Sequence, residues 1–355
     1  MQSAYDSKGE VLKLLSSKGN GMTAEKLAIP NRDIQELPLA TLKTPAPVSQ
    51  VPEKHVLWRR LRLDLLLIVV TMIWGSTFLV TQKTVQLSGP FTFLALCFGI
   101  GSLTLAITFR KRLIHLTRTE LVAGIFISLF LFAGYALQTT GLQFTTTGKA
   151  GFITGLYVPL VPLFSWLILR QKPTRGAIVG IVLSVIGLTL LSINNQFNFE
   201  FGLGEALILG CALAFALHII SISKFVPHAD AVNLAIVQLT LTSLLSFIAM
   251  PLAREPFVVP PLPVWGAVLF MGVVDIAFCL LVMNRVQQFV SSNRATLVYA
   301  LEPAWAGLFG YLAGQNLSTP AWIGCVCIFL GMIVGIMHIS SVRTFLARVK
   351  KSSSL

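Results

Sequence analysis

From Leu63 to about Ser340 the chain is a succession of ten apolar runs separated by short polar turns. Each run is about 20 residues, the length a helix needs to cross the hydrocarbon core of a bilayer. Nothing else in the sequence narrows the folds open to it so far. A backbone in lipid must satisfy its own N–H and C=O groups, so runs of this length are helices, and the polar turns belong at the two membrane surfaces. The runs fall roughly at 63–82, 92–109, 121–141, 147–169, 176–193, 203–222, 230–250, 264–284, 294–313 and 321–340. The predicted class is an all-α polytopic membrane protein. Turns this short leave no room for a soluble catalytic domain, which argues against an enzyme. The composition agrees, because 55% hydrophobic and 12% charged residues could not clothe a solvated globule.

The second half of the chain repeats the first. Gly148 to Arg175, GKAGFITGLYVPLVPLFSWLILRQKPTR, lies without a gap over Ser292 to Thr319, SNRATLVYALEPAWAGLFGYLAGQNLST, at an offset of 144 residues. Pro303 then falls on Pro159, Asn293 on Lys149, Gln315 on Gln171, Gly324 on Gly180 and Gly331 on Gly187. Spans one and six align at an offset of 141, with Glu205 on Asp64 and His218 on Thr77. Two five-span repeats, 63–193 and 203–340, are expected. Five is odd, so the second copy enters the membrane from the opposite side. The charges agree: the turn after span four carries Arg170, Lys172 and Arg175, and its match after span nine carries no base. Such an inverted repeat is the architecture of many carriers that work by alternating access.

A net charge of +13 would raise nucleic acid as a partner for a soluble protein. Here the bases cluster beside the apolar runs, so the partner they indicate is the lipid bilayer. Arg59, Arg60, Arg62, then Arg110, Lys111, Arg112 and Arg118, then Arg170, Lys172 and Arg175, and finally Arg343, Arg348, Lys350 and Lys351 all fall on one side. The positive-inside rule makes that side, with both termini, cytoplasmic, in a membrane expected to be a bacterial inner (plasma) membrane. Residues 1–58, with five prolines and no apolar period, read as a disordered cytoplasmic tail, and 341–355 as a basic one. The five cysteines lie inside apolar runs, where neither a disulfide framework nor a metal pair is expected.

Three stretches carry a family likeness: WGSTF at 74–78, GYALQTTGLQFTTTGKAGFITGLYVPLVP at 134–162, and RATLVYALEPAWA at 294–306. They resemble the EamA-type repeats of the drug/metabolite transporter superfamily, and the likeness spans about residues 63 to 340. It implies a ten-helix carrier of amino acids, other metabolites or drugs, with no nucleotide-hydrolysing domain and no cofactor. Where the family usually has Glu in the turn after span nine, this chain has Gln315, which removes a charge contact at the rim.

Chemistry, if any, sits inside the bundle. Asp275 and Glu302 fall near the middle of spans eight and nine, where an ionised carboxylate costs roughly 2.5 to 3.5 kcal/mol. They are candidates for proton coupling or for holding a substrate amine, and bracing a proline kink is the structural alternative for Glu302. Pro159, Pro162 and Pro303 free the carbonyls of Gly155, Val158 and Tyr299 and are candidate helix breaks. Trp74, Tyr135, Gln138, Tyr157, His218 and Tyr299 are candidates for contact with a small-molecule substrate, the aromatic ones offering faces to a cation. Interhelical hydrogen bonding is the alternative for the polar ones, the neighbouring Thr71, Thr77 and Thr81 among them. Lys149 is a candidate gate charge or a partner for a deep carboxylate, against simple snorkelling to the surface. No metal set occurs at workable spacing. Glycines four apart, Gly151/Gly155, Gly176/Gly180, Gly310/Gly314 and Gly331/Gly335, allow close helix crossings, and a homodimer through one pair is conceivable. The expected activity is secondary transport of a small metabolite or drug; the rival is a channel or a non-transporting membrane component.

Overall fold

A computed structural model describes residues 53–145, 147–192, 202–256, 259–312, 314 and 318–352. The tail at 1–52, Asn195 and Gln315 lie outside the described residues, and so does the side chain of Lys149. Among the described residues every regular element is helical. The first half contains α1 (Glu53–Ser88), α2 (Pro90–Thr108), the short α3 (Arg110–Leu113), α4 (Arg118–Gly141), α5 (Thr147–Thr154), α6 (Tyr157–Leu169) and α7 (Arg175–Ser192). The second half has α8 (Leu203–Phe225), α9 (Ala231–Leu252), α10 (Leu262–Phe270), a π-helical stretch (Met271–Cys279), α11 (Leu280–Gln287), α12 (Ser292–Tyr299), α13 (Glu302–Leu312) and α14 (Thr319–Ser352).

Seven segments among the described residues are long and apolar enough to cross a membrane: Leu61–Ser88, Pro90–Thr108, Arg118–Gly141, Ala150–Leu169, Leu203–His228, Ala231–Leu252 and Leu262–Gln287. Two further apolar helices, Arg175–Leu190 and Thr319–Gly335, are shorter. The ninth expected span is divided between α12 and α13. Leu and Ile side chains stand exposed along the helices, Leu66 on α1, Ile107 on α2, Leu167 on α6 and Ile248 on α9 among them. Such residues on the outside of a bundle suit a solvent of hydrocarbon.

Matched helices of the two halves pack against each other and run antiparallel. On α2 and α9 the Ser243 hydroxyl donates to the Ala95 carbonyl at 2.8 Å, and Ser102 and Thr240 hydroxyls meet at 2.6 Å. On α7 and α14 a Cβ added at Gly180 would lie 2.6 Å from the Gly331 carbonyl oxygen, and one at Gly187 would lie 2.6 Å from that of Gly324. Only glycine permits so close a crossing, and the four residues are the two aligned pairs, each meeting the partner of the other. By contrast a Cβ at Gly151 or Gly314 would meet nothing within 4 Å among the described residues, while one at Gly155 would lie 2.8 Å from the Leu188 side chain on α7.

Several expectations need correction. Helix α1 begins at Glu53, inside the stretch expected as tail, because nothing from Glu53 to Arg62 stops a helix that the apolar span then continues. Likewise α14 runs on to Ser352 through the expected basic tail, with no proline or glycine after Gly335 to end it. Pro162 breaks nothing: it sits inside α6. The breaks fall instead just before the other two prolines, at Gly155–Leu156 and at Ala300–Leu301. Pro159 is the third residue of α6 and Pro303 the second of α13. The first turn of a helix needs no intrahelical N–H donor, so a proline is accommodated best where a new helix has just started. Span eight is not uniformly α-helical, since Met271–Cys279 is wound as a π-helix around Asp275.

Candidate functional site

The two restarts meet at the centre. Tyr157 is the first residue of α6, Glu302 the first of α13, and both line a cavity with about 770 Å³ of space free of protein atoms, its mouth included. Its walls come from both halves of the chain: Trp74, Thr77 and Thr81 from α1, Phe93 and Phe98 from α2, Tyr135 and Gln138 from α4, Phe215 and His218 from α8, and Met271 and Ile276 from the π-helical stretch. Among the described lining residues Glu302 is the one carboxylate, and none is Lys or Arg.

The Tyr157 hydroxyl donates to the Tyr299 carbonyl at 3.0 Å and to Glu302 Oε2 at 3.1 Å. The first acceptor is the carbonyl that Pro303 cannot serve. In the first half the equivalent carbonyl, Gly155, accepts from the Val158 N–H at 3.0 Å. Each carbonyl freed by a break has therefore found a donor, as burial demands.

The aromatic wall is interlocked. Tyr135 stands edge-on to Phe98, with centroids 5.0 Å apart, and to Phe215 at 5.3 Å. The Trp74 ring lies 5.5 Å from that of Tyr299, and its buried Nε1–H has no partner. His218 meets the Gln238 side chain at 3.0 Å. The threonine hydroxyls go to their own helix, not across to a neighbour: Thr71 donates to the Ile68 carbonyl and Thr77 to that of Trp74, both at 2.8 Å.

Two candidates lie elsewhere. Tyr299 is fully buried and does not line the cavity; it contributes its ring to Trp74, its carbonyl to Tyr157 and its hydroxyl to Gln287, which donates to it at 3.3 Å. Asp275 is buried behind the lining, and neither of its carboxylate oxygens has a hydrogen-bond partner. It lies close enough to Glu302 to feel that residue's charge, and close enough to Tyr135 for its own to be felt there. Lys149 belongs to α5, and the structure gives no contact for its side chain.

Arg294, the base nearest in sequence to Glu302, does not pair with it. Instead its guanidinium is bidentate on Asp64, at 3.1 and 2.5 Å. The distance along the bundle explains this, since Arg294 sits one turn inside α12 and Asp64 at the matching end of α1, both far in sequence from mid-span. Asp64 had been noticed only as the residue aligned with Glu205. The phenylalanines of the cavity wall also escaped notice, because a helix that is apolar all round carries no periodic mark of which face turns inward.

The comparisons agree with this architecture. The EamA-like transporter family model matches the chain twice, at residues 61–193 and 202–337. An uncharacterized transporter of Archaeoglobus fulgidus is 30% identical over 289 residues, covering 78% of this chain and 86% of its own. The Bacillus subtilis transporters YyaM and YoaV are 21% and 24% identical, over 81% and 76% of this chain and 98% and 94% of their own. A solved crystal structure superposes with a TM-score of 0.66 at 20% identity, over 78% of this chain and 96% of that one, and so shares the fold. A doubled family match over an apolar helical bundle with a central cavity places the chain: it belongs to the EamA-like transporter family and is an integral, multi-pass membrane transporter.

Proposed function

We propose that the protein is a secondary permease of ten spans in two inverted repeats. It moves a small organic solute, an amine-bearing metabolite such as an amino acid or an amine drug, through one central site reached alternately from each side. One observation carries this reading: both interrupted helices restart on the cavity, one with Tyr157 and the other with Glu302. In carriers built from inverted repeats, helices broken at matched places supply the substrate and ion sites. A channel would need neither the breaks nor the carboxylates.

The lining favours a cation. Aromatic faces from Trp74, Tyr135 and Phe215 attract a positive group, and Glu302 supplies the counter-charge. Asp275 and Glu302 then carry the proton. A buried carboxyl can hold its proton when the site faces one compartment and release it when the site faces the other. Asp275, unpartnered inside a π-helical stretch, is placed where such local windings often serve function. The end of the bundle bearing Arg62, Arg112 and Arg294 faces the cytoplasm, which puts both termini there.

Reconstituted vesicles test the proposal. A panel of amines and amino acids is screened for saturable counterflow, which a channel does not give, and the substrate found is then driven by a pH gradient. Asp275→Asn should cut gradient-driven uptake about tenfold or more while leaving counterflow within about threefold, whereas Glu302→Gln, which also removes the solute's counter-charge, should lower both. Unchanged gradient-driven uptake in both variants would return the two carboxyls to structural roles.

A further inference from the structure

The Tyr157 hydroxyl has one hydrogen and stands within bonding distance of two acceptors. One is Oε2 of Glu302. The other is the Tyr299 carbonyl, whose helical donor would be residue 303, a proline with no N–H to give. We infer that Tyr157 is a positioning residue that ties the charge on Glu302 to the helix break at Ala300–Leu301. This rests on the permease reading for its use, though not for its geometry.

The physical chain is short. An ionised carboxylate is the stronger acceptor, because a charge-assisted hydrogen bond is roughly twice as strong as a neutral one. With Glu302 ionised, the hydrogen turns to Oε2 and the Tyr299 carbonyl loses it. With Glu302 protonated, or its charge met by a bound cation, the hydrogen is free to serve the carbonyl, and the Glu302 hydroxyl can itself donate to the phenol oxygen. The state of one carboxyl therefore decides how well the break in the second repeat is held. Because Tyr157 starts α6, directly after the break in the first repeat, the same hydroxyl joins the two interrupted helices. Its burial, 3% exposed, keeps water from substituting as donor. The groups facing Glu302 are Tyr157 on α6, Tyr135 on α4, Cys211 on α8 and Asp275 on the π-helical stretch. Of these only Asp275 competes as an acid.

The test needs no substrate. Hydrogen exchange at the amides of Ala300, Leu301 and Glu302 is followed against pH in the full chain in nanodiscs, corrected for intrinsic exchange. In the parent, protection of these amides should fall about fivefold or more as pH rises and Glu302 ionises. Tyr157→Phe, which keeps the ring, should show low protection at every pH, and Glu302→Gln high protection at every pH. Asp275→Asn should keep the parent's pH dependence. Parent-like pH dependence in Tyr157→Phe or Glu302→Gln, or none in the parent, would overturn the inference. If Tyr157→Phe does not fold, the Glu302→Gln and Asp275→Asn profiles still decide. Since no transport is measured, failure here leaves the permease reading standing, and failure of counterflow leaves this one.

Discussion

The two ends of the bundle are tied by equivalent residues, each reaching across to the other repeat. Asp64, at the start of the first repeat, is bonded to Arg294, which leads into the interrupted helix of the second. Glu205, its match in the second repeat, accepts from the Thr145 hydroxyl at 2.6 Å, in the segment leading into the interrupted helix of the first. The arrangement is reciprocal, each carboxylate reaching the segment that leads into the other repeat's interrupted helix. A second reciprocal pair is unequal. Glu255 accepts from the backbone of Phe91 and Thr92 and from the Thr92 hydroxyl, capping α2, whose own cap residue Gly89, at φ 77°, has no side chain to offer. Glu120 accepts from the Asp230 N–H and the Asn233 amide at the start of α9, yet α9 is already capped by Asp230 itself. The caps teach that duplication preserved positions and not energies: α2 depends on the partner repeat for its side-chain cap, whereas α9 carries its own.

The largest effect should come from the ion pair. Arg294→Met leaves the Asp64 carboxylate nearly buried without its counter-charge and should cost about 3 kcal/mol. Thr145→Val removes one bond of Glu205, which keeps the Gly202 N–H at 2.9 Å, and should cost about 1 kcal/mol. Thermal unfolding in detergent measures both, and equal losses would mean that the Asp64–Arg294 ion pair is worth no more than the single Thr145 hydroxyl bond.

A smaller contrast is expected between the caps. Glu255→Ala strips α2 of its side-chain cap and should destabilise by about 2 kcal/mol, whereas Glu120→Ala, with Asp230 still in place, should cost about 1 kcal/mol. The same unfolding assay reads it, and a costlier Glu120→Ala would reverse the order of dependence.

The smallest effects on stability, within about 0.5 kcal/mol, should follow from giving either break an N–H, and the readout there is transport. Pro303→Ala supplies a backbone donor that competes with Tyr157 for the Tyr299 carbonyl and should lower gradient-driven uptake about fivefold. In Pro159→Ala the Gly155 carbonyl already accepts from Val158, so uptake should stay within about twofold. Equal losses would show that the breaks are interchangeable.

Much of the fold was legible because lipid is an unforgiving solvent: a run of apolar residues from Leu203 to Ile222 has no choice but to be a helix. The aligned glycines were legible too, since Gly180, Gly187, Gly324 and Gly331 mark crossings wherever backbones touch. The candidate site was legible in part. Trp74, Tyr135, Gln138, Tyr157, His218 and Glu302 line one cavity. Tyr299 and Asp275 stand behind it, because polarity at mid-span says that a residue must be sheltered and not what shelters it.

By itself the sequence determined helices, their order, the duplication and the prolines that interrupt it, all of which follow from local backbone chemistry and from the hydrophobic length of each run. The tertiary structure alone decided the partners: that Arg294 meets Asp64, that Pro162 is absorbed within a helix while Pro159 and Pro303 follow breaks, that Met271–Cys279 winds as a π-helix, and that the hydroxyl of Tyr157 reaches a carbonyl 142 residues away. The reason is physical. A hydrogen bond or ion pair is set by distances between helices, and helices apolar on every side can be rotated and paired in many ways until packing selects one.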